Sequence, residues 1–141
     1  MTPDQLTDTL TARLNGPHSD EATAGAARLA AEAARLLNYA TGPHASEGLT
    51  EPATAYRVMG DLAQAAYRLP QLCGQLGDYL AREVAAARLA DDHGRPPGLL
   101  ITRARHDLDA AARHADALGA ALAAAQNAIA GLYLDDGDEG R

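Results

Sequence analysis

The chain of 141 residues reads as an all-α protein, an antiparallel helical bundle built on a long helical hairpin. Three observations predict this fold. Apolar residues recur in alternating steps of three and four along three long stretches, the heptad pattern of helices lying side by side. Alanine is the commonest residue, while Phe and Trp are absent and only five Tyr occur, so any core is made of small and aliphatic side chains. Pro and Gly cluster at Asn15-Gly16-Pro17, Thr41-Gly42-Pro43, Gly94-Arg95-Pro96-Pro97-Gly98 and beyond Leu134, and these breakers cut the chain into segments of helical length.

The expected layout is a single domain over 1–134, with three long helices and a short N-terminal one, followed by a disordered acidic tail at 135–141. The short helix, about 3–14, opens on Thr2-Pro3-Asp4-Gln5, where Thr2 can cap, Pro3 suits the first helical position and Gln5 can close a capping box. Leu6, Leu10 and Leu14 form its apolar stripe. The second helix runs over 19–41 from a Ser19 or Asp20 cap, with Ala22, Ala26, Leu29, Ala33, Leu36 and Ala40 as its seam and Arg28, Glu32 and Arg35 on the wet side.

The third helix spans 51–90 and contains Pro70, which removes a backbone hydrogen bond and crowds the carbonyl four residues back. Its apolar phase nevertheless continues through the proline, at Ala55, Met59, Leu62, Ala66, Leu69, Cys73, Leu76 and Leu80. A loop would shift that phase, so the expectation is one helix kinked near Pro70. The fourth helix, 100–134, carries Ile101, Ala104, Leu108, Ala111, Ala115, Leu118, Leu122, Ala125, Ile129 and Leu132 without a missed step. Its alternation of large and small predicts a close partner helix, with overpacking on enlargement of Ala111 or Ala115 and loss of buried area on truncation of Leu118 or Leu122.

The short turn at 91–99 makes helices three and four an antiparallel hairpin. At about 1.5 Å per residue they reach roughly 60 and 50 Å, against about 33 Å for helix two. Helix two is expected to pack back along the end holding 51–73 and 112–134, which leaves the turn end uncovered. A homodimer joined through Leu76, Leu80, Val84 and Leu89 is the expected remedy.

Composition narrows the function. Twelve Arg and no Lys against nineteen acidic residues give a net charge of −7, which excludes a generally basic nucleic-acid binder. Cys73 is the only cysteine, and the N-terminus carries no signal-peptide pattern, so a cytoplasmic setting is expected. The uncharged stretch Ala117 to Leu134 is rich in Ala with Gln126 and Asn127 inside it, a poor membrane span.

No catalytic motif, cofactor-binding loop or metal-ligand spacing is present: His93, His106 and His114 lack a His-Glu-x-x-His arrangement, and the tail Asp135 to Glu139 ends before a calcium loop could close. Cys73 reads as a small core residue. Candidate interaction residues are Tyr56 and Tyr67, three helical turns apart on one face, and the cluster Arg95, Arg103, Arg105 and Arg113. Asp109 is spaced to pair with Arg105 and Arg113, which would neutralise part of that cluster. The residues therefore indicate a non-enzymatic protein, self-associating and docking a helix of another protein, with a nucleic-acid-associated accessory role through the Arg-bearing hairpin end as the alternative.

Overall fold

The computed structural model describes residues 2–14, 16–45 and 47–135. It contains four helices in the order α1 (Pro3–Ala12), α2 (Asp20–Ala40), α3 (Pro52–Ala85) and α4 (Pro97–Ala128), and among the described residues there is no strand. The chain divides into two compact units, Met1–Leu49 and Thr50–Arg141. Of the acidic tail expected at 135–141, residues 136–141 lie outside the described residues.

In the first unit both helix starts follow from side chains that satisfy otherwise unpaired backbone N–H groups. The Gln5 N–H donates to Thr2 Oγ1 at 3.2 Å and the Thr2 N–H donates to Gln5 Oε1 at 2.8 Å, which completes the capping box. Ser19 Oγ accepts from the Ala22 N–H at 3.1 Å and starts α2. On α2, Arg35 pairs with Glu32 at 3.4 Å and lies over the Tyr39 ring. Leu29 and Leu36 of the expected seam are exposed, and α2 has no buried residue.

The second unit is the helical hairpin, with α3 packed along α4. Pro70 stands inside α3, which runs through it as one helix of 34 residues. Both long helices are shorter than their apolar patterns. α3 ends at Ala85 rather than near 90, because Ala87 takes a positive φ of 55° while the N–H groups of Ala87 and Arg88 donate back to the carbonyls of Val84 and Glu83. That is a Schellman stop, with alanine in the position usually given to glycine. α4 begins at Pro97, not 100, since a proline needs no N–H partner in the first turn. It ends at Ala128 rather than Leu134, followed by Gly131 at φ 87°. The helices of 34 and 32 residues are then about 51 and 48 Å long, closely matched.

The turn between them is held by one carboxylate. Asp91 accepts from the backbone N–H of His93 and of Arg95 and receives the Arg95 guanidinium at 2.8 and 3.0 Å. Gly94 supplies the left-handed residue there, at φ 69°.

Candidate functional site

The line of contact between α3 and α4 decides which apolar residues remain for function. Ala55 and Met59 on α3 and Ile101 and Ala104 on α4 are half-buried as expected, but from Met59 to Leu80 and from Leu108 to Ile129 each heptad contributes one residue as expected and one displaced by a single position. On α3, Met59, Ala66, Cys73 and Leu80 are buried or half-buried in the expected phase, but their companions are Ala63, Pro70 and Gly77 instead of Leu62, Leu69 and Leu76. On α4, Leu108, Ala115, Leu122 and Ile129 hold their places, while Ala112, Gly119 and Gln126 replace Ala111, Leu118 and Ala125.

Small size is the physical reason. The buried residues of the hairpin are Ala63, Ala66, Gly77, Ala115 and Gly119, and helix axes approach most closely where such side chains meet. Gly119 lies against the Tyr67 ring so closely that a Cβ there would stand 2.6 Å from Tyr67 Cε1. Gln126 crosses over Gly60, and its Nε2 donates to the Tyr56 carbonyl at 3.1 Å. A leucine at these points would hold the helices apart.

The displaced leucines form a second seam. Leu62, Ala65, Leu69, Leu72, Leu76 and Tyr79 again alternate steps of three and four along α3, and every one is exposed, with Leu72 and Leu76 at 46 %. Leu118 is exposed on α4 at 52 %. In an antiparallel pair, stepping one residue back from the contact line turns to the same side of both helices, so Leu118 joins Leu62, Leu69 and Leu76 on one side of the hairpin. Exposed apolar side chains at this spacing make this side of α3 the candidate surface for an interaction. Sequence reasoning merged two overlapping seams into one.

The expected dimer seam is correspondingly redistributed. Leu76 belongs to the open seam, whereas Leu80 and Val84 are half-buried in the hairpin and Leu89 is half-buried beyond the end of α3. Ala111 is exposed, so enlarging it meets open space, while Ala115 at 6 % exposure is packed as expected.

Tyr56 and Tyr67 are part exposed but serve the helix pair, Tyr56 through its carbonyl and Tyr67 through its ring on Gly119. Tyr56 also lines an open cleft of about 280 Å³ with Pro52, Ala53, Ile129 and Leu132, where no charged side chain is present to orient a ligand. The Arg cluster is dispersed. Arg95 is committed to Asp91, and Arg105 pairs across the hairpin with Asp78 at 3.6 Å instead of with Asp109. Arg103 and Arg113 are exposed and make no ion pair with Asp109.

Two carboxylates have perturbed acidity. The Arg88 guanidinium donates two hydrogen bonds to Glu83 and holds its carboxyl below the usual glutamate value. Arg95 does the same for Asp91, with the two backbone N–H donors adding to it. Both pairs tie down the turn end of the hairpin and neither adjoins a cavity or nucleophile. Among the described residues no three His, Cys, Asp or Glu side chains gather as metal ligands, and no helix is long and apolar enough to cross a membrane.

Compared with protein-family models, curated proteins and solved structures, the chain matches none.

Proposed function

We propose that this is a non-enzymatic helical protein that acts by helix-to-helix association, with itself and with a helix of another protein, in a structural or adaptor role. The observation that carries the reading is the second heptad seam of α3, an apolar stripe at coiled-coil spacing left open along one side of the hairpin. A core dominated by Ala and Gly supports it, because a two-helix layer of small side chains buries little apolar area and gains from a further helix. A cytoplasmic setting fits the single, half-buried free thiol of Cys73.

Light scattering and sedimentation of the full chain at micromolar concentration test the reading. An oligomer is expected. A strict monomer would remove self-association and leave only the docking of a foreign helix.

The nucleic-acid alternative keeps one supporting observation, the exposed Arg103 and Arg113. Against it stand the net charge of −7 and the commitment of Arg95 and Arg105 to aspartates. Salt-dependent binding to unrelated DNA, lost on replacing Arg103 and Arg113, would favour it; absence of any shift at low salt would discard it.

A further inference from the structure

We infer that the open seam of α3 is built to pair antiparallel with the same seam of a second copy of this chain, about a two-fold axis passing between Pro70 and Gln71. This rests on the self-association proposed above and names its surface, direction and register.

In an antiparallel helix pair the two seam positions of one helix meet the opposite positions of the other. Centred on the Pro70–Gln71 step, Leu62 then faces the partner's Tyr79, Ala65 faces the partner's Leu76, and Leu69 faces the partner's Leu72. Each seam residue acquires an apolar partner, and small Ala65 meets a leucine. The seam is used from end to end.

Charge chooses the direction. Along α3 one flank of the open seam is already occupied, because Met59, Ala66, Cys73 and Leu80 turn toward α4. The outer flank carries Asp61, Arg68, Gln75 and Arg82, all exposed. A parallel pair would set these against the occupied flank of the other copy, with no opposite charge to meet. An antiparallel pair sets outer flank against outer flank.

Charge also chooses the register. In the centred arrangement Asp61 meets the partner's Arg82, twice by symmetry, and Arg68 meets the partner's Gln75, with no like charges opposed. Sliding by one heptad in one direction sets Arg68 against the partner's Arg68; sliding in the other sets it against the partner's Arg82. Like charges across a helix interface disfavour both neighbours, so the flank rejects the wrong registers as well as selecting the right one.

The test is a charge-exchange cycle on the full chain, read by sedimentation equilibrium, with circular dichroism confirming that helix content is unchanged at these exposed positions. D61R and R82D should each raise the dimer dissociation constant about tenfold, and D61R/R82D together should return it to within about threefold of the parent. Leu69→Glu with Leu72→Glu should give a monomer of undiminished helicity. A dimer indifferent to all these changes would overturn the α3 pairing while leaving self-association standing through another surface. A parent chain that is monomeric throughout, including one whose own α2 covers the seam, would overturn both.

Discussion

Ala87 is the residue at which local strain is most plainly visible. Its φ of 55° places an L side chain in the left-handed region, where Cβ crowds the following carbonyl and costs about 1 kcal/mol relative to glycine. Ala87→Gly is therefore expected to raise stability by about 0.5–1 kcal/mol, measured by chemical denaturation, because the Schellman hydrogen bonds need the conformation and not the methyl group. The opposite result would mean that the added freedom of the unfolded chain outweighs the relieved strain. At Glu83 and Asp91 a folded-state acidity stronger than the unfolded value stabilises the native chain at neutral pH, and this contribution is lost as pH falls through the carboxylate range and below. Thermal melts should show a falling midpoint between about pH 5 and 3, and Glu83→Gln should flatten part of that limb. A melt equally steep in the variant would assign the acid sensitivity to other carboxylates. The Arg partners of these groups titrate too high to contribute in this window.

At the scale of the element, the two long helices obey the heptad rule but apply it around small residues. The distinction is measurable on α4. Leu122 is half-buried in the contact line and Leu118 is 52 % exposed, so Leu122→Ala should cost on the order of 2 kcal/mol and Leu118→Ala on the order of 0.5 kcal/mol in the monomeric state. Equal losses would place the contact line where the simple periodicity put it. α3 gives the complementary lesson. Continuity through Pro70 was legible because the apolar phase does not change across it, and a helix can accept the missing hydrogen bond where packing on both sides is sustained. Its early end was not legible, since Ala86-Ala87-Arg88 contains no glycine to signal a left-handed stop. The end of α4 did carry such a signal. Gly131 takes a positive φ just beyond the helix, and the apolar run continuing to Leu134 concealed it.

For the molecule as a whole, the proposed pairing through the open seam of α3 would link stability to association. If copies pair through it, the folded state is favoured by mass action, and the thermal midpoint should rise as protein concentration is taken from about 1 to 100 μM. An invariant midpoint would indicate that folding draws nothing from a second copy. Such pairing would also account for a hairpin whose buried residues are only Ala and Gly and whose leucines are so often exposed: the large side chains would serve a layer added by association, and the small ones serve the layer within the chain.

The amino-acid sequence by itself determined the all-helical class, the capping of α1 and α2 and the hairpin turn, since these depend on local backbone preferences and on spacing along one chain. Only the tertiary structure decided which apolar positions are core and which are surface. On each long helix the apolar period takes half its members from the contact line and half from a line one residue back, and a periodic count cannot separate the two. Close approach does: Ala63, Gly77 and Gly119 permit it, Leu62, Leu76 and Leu118 do not, and the axes settle on the side where the side chains are smallest.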